Sequence, residues 1–563
     1  MSGLPEGGRS TSPIVSSVRV GILLDSLRVP AWIERVLAEV VAMPEAELAL
    51  VVVNAAPARR ESFGERFPYL LYRLYSRLDR RLLAPPSDPF ARRDVSGLLA
   101  GVPSLAVRPE QTRFSDRFPE DALAEIRRHE LDVALRFGFR ILRGGALEIA
   151  RHGVWSHHHD DDRRVRGGPP GFWEVMEGHA VTGSVLQVLS ERLDGGRVIY
   201  RSWAPTHRRS VARNRAHVYW KSAAFAGRCL RALAAIGDPA AGEARPPAEE
   251  RYRPYAHRLY RKPTNREALP LLARFALRAA GEWAAERPGR RQWLLAYRFH
   301  EPGGDPAPDE LFRFRRRAPP RGRSWADPFA VRRGGRWHLF FEEYRDAERR
   351  GRIRTCELDP EAGASEPVDA LVEPFHLSYP HLVAWRDELF LVPETSARRE
   401  VRLYRATGFP TGWAHEATLL EGVRAVDATL HEEGGRWWMF VAIAEPGALH
   451  ARDELHLFHA SSPLGPWEPH PWNPVRSDAR AARPAGPLFR WRGELYRPAQ
   501  DCSRRYGWAI ALQRVTRLDP EGYAEETVAR VPPGWAPGLL ATHTLCRLDG
   551  LTLVDGMRRA PRW

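Results

Sequence analysis

A unit that recurs between residues 326 and 554 constrains this chain more than any other feature of its sequence. Each copy opens on a small or acidic residue, runs through a short apolar strand and a polar turn, and ends in an aromatic strand. The copies are Ala326–Val331 with Trp337–Phe341, Tyr379–Val383 with Glu388–Val392, Val426–Leu430 with Trp437–Val441, Gly486–Phe489 with Glu494–Tyr496, and the weaker Thr542–Leu545 with Leu551–Val554. Entry positions 327, 380, 427, 487 and 543 lie 47 to 60 residues apart. A period of this length, with several strands per copy, predicts a five-bladed β-propeller over residues 291–563, one blade per copy. A generic β-sandwich is the alternative. Most of the 19 tryptophans fall after residue 280, as an aromatic-rich all-β half would have them.

The 563 residues exceed one ordinary core, and the first half has a different pattern. After a Ser/Gly/Pro-rich tail at 1–17, Val18–Leu24 is a compact apolar strand. An amphipathic helix near Trp32–Val41 and a second apolar strand at Leu48–Val53 follow. Strand, helix and strand at this spacing open a parallel α/β sheet. Residues 58–100 are arginine-rich and read as helical or irregular. A helix near Asp121–His129 feeds the strand Leu131–Leu135 and a turn at Gly138-Phe139. The α/β domain is thus expected over 18–236, with a linker and bridging helix over 237–290. The helix is marked by a capping box, Thr264 to Glu267, and by Leu269, Leu272, Ala276, Ala279 and Trp283 at helical spacing. Pro270 suits it only near the first turn.

The formal charge of +15 is almost wholly arginine, since Lys221 and Lys262 are the two lysines. The bias of a GC-rich genome and an anionic, phosphate-rich partner both account for it. Nucleic acid is not expected: the densest basic run, Arg313–Arg323, sits in an apparent loop and no reading module accompanies it. Cys229, Cys356, Cys502 and Cys546 are scattered without metal-ligand spacing, as thiols of a reducing compartment. The N-terminus lacks the apolar centre of a signal peptide, and no apolar run is long enough to span a membrane. The expected location is cytoplasmic.

The most informative stretch of the first half is Gly153-Val-Trp-Ser-His-His-His-Asp160. It is followed by Arg166-Gly-Gly-Pro-Pro170, Thr182-Gly183 and Leu193-Asp-Gly-Gly196. In order and spacing these motifs, with Leu131–Gly138 ahead of them, resemble the formyltransferases that use 10-formyltetrahydrofolate. The resemblance covers roughly residues 18–235. It implies that an amine attacks the formyl carbon of the folate. His158 matches the histidine that stabilises the oxyanion and shuttles a proton, and Asp194 the carboxylate that orients it. Acyl transfer to an amine needs both charge stabilisation and a proton acceptor. Ser156 stands where the family has asparagine; its hydroxyl can donate one hydrogen bond. His157, His159, Asp160, Arg166 and Gly167 are expected to contact substrate. The run from His157 to Asp162 also invites a metal reading, but neighbours on an extended segment point to alternate sides. No metal is expected there; the run reads as a loop of active-site and solvated residues.

The second half resembles the propeller-like N-terminal domain of plant glucosamine inositolphosphorylceramide transferases. The carriers are Trp325–Phe329, Leu339–Glu342, Leu377–His381, Pro393-Glu394, Leu403–Arg405, Ser461–Trp467 and Arg497–Cys502, in order over about 310–530. The resemblance implies the module, not the transferase reaction. The propeller is also similar to five-bladed glycoside hydrolases of family 43, which place carboxylates at the inner ends of blades. Asp327, Glu342, Glu394, Asp427 and Asp501 would converge there to bind or hydrolyse a glycan.

The combined expectation is a formyltransferase-like enzyme acting on the amine of a sugar or glycoconjugate, with a glycan-recognising propeller. A catalytically inactive scaffold with a carbohydrate-binding propeller is one alternative, and a propeller glycosidase another.

Overall fold

The computed structural model describes residues 17–57, 62–193, 195–240, 258–286, 290–301 and 308–560. Residues 1–16 of the expected tail, most of the expected linker and Asp194 lie outside them.

The first half is a seven-stranded sheet with helices on both faces. In chain order its elements are β1 (Val18–Leu24), α1 (Ala31–Val41), β2 (Ala46–Asn54), α2 (Leu70–Leu83), β3 (Ser104–Val107), α3 (Glu120–Arg127), β4 (Val133–Arg136), β5 (Val154–His158), β6 (Val181–Val188), β7 (Arg197–Pro205), α4 (Val211–Ser222) and α5 (Phe225–Ile236). The spatial order is β7-β6-β5-β4-β1-β2-β3. The five strands from β5 to β3 run parallel, and β6 and β7 are antiparallel additions. Val20, Ile22 and Leu24 face one core while Leu23 enters the other, as strand alternation requires. Helix α1 buries Trp32, Ile33, Val36, Leu37 and Val40, one face at helical spacing. Each such side chain contributes about 1.5–3 kcal/mol of burial.

The expected bridging helix is α6 (Asn265–Glu286), and its capping box forms: Glu267 Oε2 accepts from Thr264 N at 2.8 Å. Pro270 lies inside the helix. The helix belongs to the α/β half. It packs with α2 on the small core of Val165, Phe172, Trp173, Val175, Met176 and Val211. Among the described residues no helix is long and apolar enough to cross a membrane.

The second half consists of antiparallel sheets. Four contain, in succession, Arg323–Asp359, Ser378–Glu421, Ala425–Pro469 and Arg483–Val531. The fifth joins the first strand of this half, Arg290–Phe299, to the last, Leu551–Ala560, over ten residue pairs. The sequence repeat has a repeated backbone device behind it. Asp327, Tyr379 and Asp427 all have φ near +50°, and Gly486 has φ +132°. The register of the first three sheets shifts at this residue, between Ala326 and Phe329, Ser378 and His381, and Val426 and Thr429. Each is a β-bulge that re-aims one side chain.

These bulges meet. Asp327 accepts from Tyr379 N (3.1 Å) and Thr544 Oγ1 (2.8 Å), and Tyr379 Oη pairs with Thr429 Oγ1 and accepts from Gly486 N (both 2.7 Å). Asp427 accepts from Arg483 and Gln500. Leu545 N closes on Ala485 O at 2.7 Å. Hydrogen bonds thus link all five sheets through the entry residues of the repeat.

The halves are joined by a buried charge cluster. Lys221 Nζ and His217 Nε2 of α4 lie 2.9 and 3.0 Å from Asp453 Oδ2, all at most 3% exposed. Arg228 of α5 pairs with Glu454 at 2.8 Å and also with Glu445, which takes Arg35 of α1 at 2.8 Å. Beside this cluster the edge strand β7 extends across the boundary: Trp203 N donates to Ser477 O and Ala479 N to Trp203 O.

Candidate functional site

Two centres bring together several of the expected site residues. The first lies at the C-terminal ends of β4 and β5, where open α/β sheets bind ligands. A cavity of about 160 Å³ is lined there by Arg136, Ile141, Leu142, Ser156, His157, His158 and Leu189, among others. Ser156 and His158 share one side of β5 by alternation. Arg136 Nη1 donates to Ser156 Oγ at 3.0 Å, while Nη2 donates to the carbonyls of Phe139 and Arg140 at 2.9 and 2.7 Å. Burial weakens the hold of Arg136 on its proton. The neighbouring loop is fixed by Asp25 Oδ1, which accepts from Phe139 N at 2.7 Å.

The other residues of the motif face elsewhere. His157 Nε2 bonds Ser222 O at 3.0 Å, and burial pushes its imidazole down to about 4. His159 is buried, stacks on Tyr219 at 3.6 Å and bonds Ser222 Oγ at 2.9 Å. Burial drives it well below the usual histidine range. Both rings therefore sit neutral against α4. Asp160 is fully buried, accepts from Gly171 N at 2.7 Å and bonds Glu174. Asp160 Oδ2 and both Glu174 oxygens receive no donor from any other group. Burial raises both, Asp160 well above its ordinary range and Glu174 to about 7. The expectation of a solvated acidic run is thus corrected: Asp160 and Asp161 are buried beneath β6. The close approach is made possible by Gly183, where a Cβ would meet the Asp161 backbone at 2.6–2.9 Å.

Arg166 and Gly167 pair with Leu259 and Tyr260, and a Cβ on Gly167 would lie 2.1 Å from Tyr260 O. They anchor the chain that leads into α6 and do not line the cavity beside Ser156.

The second centre is the meeting point of the five sheets. Asp327, Glu342, Glu394 and Asp427 converge there, with the like charges adding to burial in raising Asp327, Glu342 and Asp427. Asp427 rises to about 6 despite Arg483, whose Nε and Nη2 lie 2.5 and 3.1 Å from its oxygens. Glu342 and Glu394 keep 13% and 11% side-chain exposure. Asp501 does not converge. Gln500 points to the centre and bonds Asp427 at 2.8 Å, so its neighbour Asp501 faces away, toward Ser503 N and Arg530.

Sequence reasoning missed His543 as a member, although it marked position 543 as a strand entry. Its Nδ1 lies 2.6 Å from Asp555 Oδ2 and its Nε2 3.7 Å from Asp327 Oδ1. Burial opposes its charge, but the two carboxylates outweigh burial and raise it. Asp327, His543 and Asp555 offer three ligand atoms within 4.8 Å of one another. The short Nδ1 contact pairs His543 with Asp555, while Asp327 stands farther off at ion-pair distance. Arg483 and Asp555 lacked any motif that would have flagged them.

Fold and site together give a two-part protein: a mostly parallel α/β half with a cavity at the ends of β4 and β5, and an all-β half with an acidic centre. Residues 321–532 match the family model described as glucosamine inositolphosphorylceramide transferase 1, N-terminal. The chain is 38% identical over 206 residues to glucosamine inositolphosphorylceramide transferase 1 of Oryza sativa subsp. japonica, a match covering 36% of this chain and 28% of the rice protein. It is 30% identical over 131 residues to methionyl-tRNA formyltransferase of Deinococcus radiodurans, covering 22% of this chain and 40% of that protein. The chain thus matches well under half of either relative. Among solved structures, a family 117 glycoside hydrolase of Zobellia galactanivorans aligns with 47% of this chain and 91% of its own, at 13% identity and a TM-score of 0.31.

Proposed function

We propose that the α/β half transfers a formyl group to the amine of a sugar or glycoconjugate, and that the five sheets are blades of a five-bladed propeller that binds the glycan. The observation that carries the reading is the Arg136 to Ser156 hydrogen bond at a cavity shared with His158.

The residues present fit 10-formyltetrahydrofolate: apolar Ile141, Leu142 and Leu189 stand beside a hydroxyl, a guanidinium and an imidazole. When bound, that cofactor supplies an activated formyl carbon. Ser156 Oγ accepts from Arg136, so its own proton is left to donate to an oxygen that becomes anionic as an amine adds. The guanidinium behind it supplies the positive charge that an asparagine amide lacks. His158, on the same side of β5, is the group to take the proton that the amine loses.

The acidic centre supports binding over hydrolysis. Arg483 and Gln500 occupy Asp427, and no acid from the fourth sheet joins it. Glu342 and Glu394 reach solvent and suit sugar hydroxyls. The plant relatives are named for glucosamine, an amino sugar, and the formyltransferase relative is named for formyl transfer; each name supports one half of the reading.

The test is incubation with 10-formyltetrahydrofolate and a panel of amino sugars, following tetrahydrofolate release. Turnover that disappears in His158→Ala supports formyl transfer. No turnover by wild type, with glycan binding unchanged in His158→Ala, leaves an inactive scaffold instead.

A further inference from the structure

The paired helices α2 and α6 carry an exposed apolar face. On α2, Leu70, Leu74, Leu78 and Leu82 recur every fourth residue and are 51–67% exposed. On α6, Leu269, Leu277 and Trp283 are 50–74% exposed, with Ala273 and Ala280 exposed between them. The helices are neighbours: Asn265 Oδ1 accepts from Leu71 N at 3.0 Å, and the Tyr75 and Phe275 rings meet at 5.7 Å. Both pack on one small core through Tyr72, Tyr75, Leu271, Leu272 and Phe275. Their opposite faces therefore both point outward, and these seven large side chains form one surface.

Charge decides what this surface suits. Arg77, Arg80 and Arg81 are exposed beside the leucines of α2, and Arg266 and Arg274 are exposed on α6. The one acid of α2, Asp79, is turned inward onto Ala212 N. On α6, Glu267 closes the capping box and Glu282 pairs with Arg208. Among the described side chains, the acids of the two helices are turned inward or paired with arginine, and apolar residues rimmed by arginine are complementary to an anionic lipid surface. A second copy of the chain would set arginine against arginine.

We propose that the α2–α6 face docks the protein on anionic phospholipid bilayers, with the leucines entering the headgroup boundary and the arginines meeting lipid phosphates. The inference is independent of the formyl-transfer reading.

The test is co-sedimentation of the full chain with phosphatidylcholine vesicles and with phosphatidylcholine–phosphatidylserine vesicles at about 3:1. Wild type is expected to bind the anionic vesicles, and to lose binding as salt screens the arginines. Arg77→Glu with Arg81→Glu lowers partitioning more than 10-fold, at about 5-fold for each arginine lost. Leu74→Ser with Leu78→Ser removes binding while leaving the arginines in place. All four positions are exposed, so the melting temperature is expected to stay at the wild-type value, and this is checked on each variant. Failure of wild type to bind anionic vesicles overturns the proposal, as does equal binding by the leucine variant. A concentration-dependent dimer that the leucine changes abolish, with no vesicle binding, assigns the face to a second copy instead.

Discussion

Arg136 donates to Ser156 Oγ at 3.0 Å from the end of the neighbouring parallel strand. A part-buried guanidinium thus stands behind Ser156, a position where this chain departs from the formyltransferase pattern that its motifs resemble. The pair acts as a unit, and its two members respond differently to substitution.

Arg136→Met removes the charge and leaves Ser156 as a lone hydroxyl. Formyl transfer is expected to fall about 10²-fold or more in kcat, the loss of one oxyanion contact, with little change in the KM of the amine. Because Arg136 also holds two carbonyls of the adjoining loop, circular dichroism and a thermal melt accompany the kinetics. An unchanged kcat removes Arg136 from the proposed chemistry.

The raised carboxyls of Asp160 and Glu174 set a pH dependence. Both carboxyls are raised in the folded protein, so the unfolded chain ionises first, near the ordinary value of about 4. Stability is therefore full below that value and falls as pH rises toward about 7, where Glu174 itself ionises. Glu174→Gln keeps a donor for Asp160 without needing a proton. Its melting temperature is expected to exceed that of wild type at pH 8 and to lose that advantage at pH 5. Parallel curves at both pH values contradict the assignment.

Breaking the charge cluster between the halves should be costly. Lys221→Met leaves Asp453 buried with His217 alone, and removing one partner of a buried pair costs about 3–5 kcal/mol. Burial opposes the charge on Asp453, but Lys221 and His217 outweigh it and hold the carboxyl well below its usual range. That stability is present above the unfolded value near 4 and disappears as pH falls. The double variant Lys221→Met with Asp453→Leu is expected to recover part of the loss in urea denaturation. Simple additivity of the two single changes would show that the pair is not coupled.

Gly486 has a positive φ at the matching place in the fourth sheet, and a Cβ there would lie 2.0 Å from Leu545 O. Gly486→Ala is expected to destabilise the β half severely, by more than about 3 kcal/mol, since neither backbone can give way. Gly334→Ala, in an open turn with nothing within 4 Å, is the control and should cost about 1 kcal/mol. Similar losses for both would deny the fourth and fifth sheets their close contact.

Much of this architecture was legible. The first three copies of the repeat, at 327, 380 and 427, tracked a repeated bulge, because a bulge needs a particular residue at a fixed place in each sheet. Asp501 was misplaced by one residue: strand alternation sends Gln500 inward and Asp501 out, and the acid alone does not reveal which. The sequence-level view of Asp160 and Asp161 as solvated failed for another reason. Their burial depends on Gly171 and Gly183, distant in sequence, closing over them. Asp453 and Glu454 belong to no motif, and their cations come from α4 and α5, far away in sequence. Ser156 announced the missing asparagine; the arginine that supports it was visible only once β4 lay beside β5.

The pairing of Arg290–Phe299 with Leu551–Ala560 bears on how the molecule comes into being. As the chain leaves the ribosome, the strand at 290 emerges with its partner still untranslated. Four sheets can assemble in order behind it, but the fifth waits for residues 551–560. Until then an arginine-rich edge stays open, and charge on such an edge discourages pairing with a neighbouring nascent chain. Synthesis stopped short of this strand would leave five sheets' worth of sequence with no means of joining its two ends.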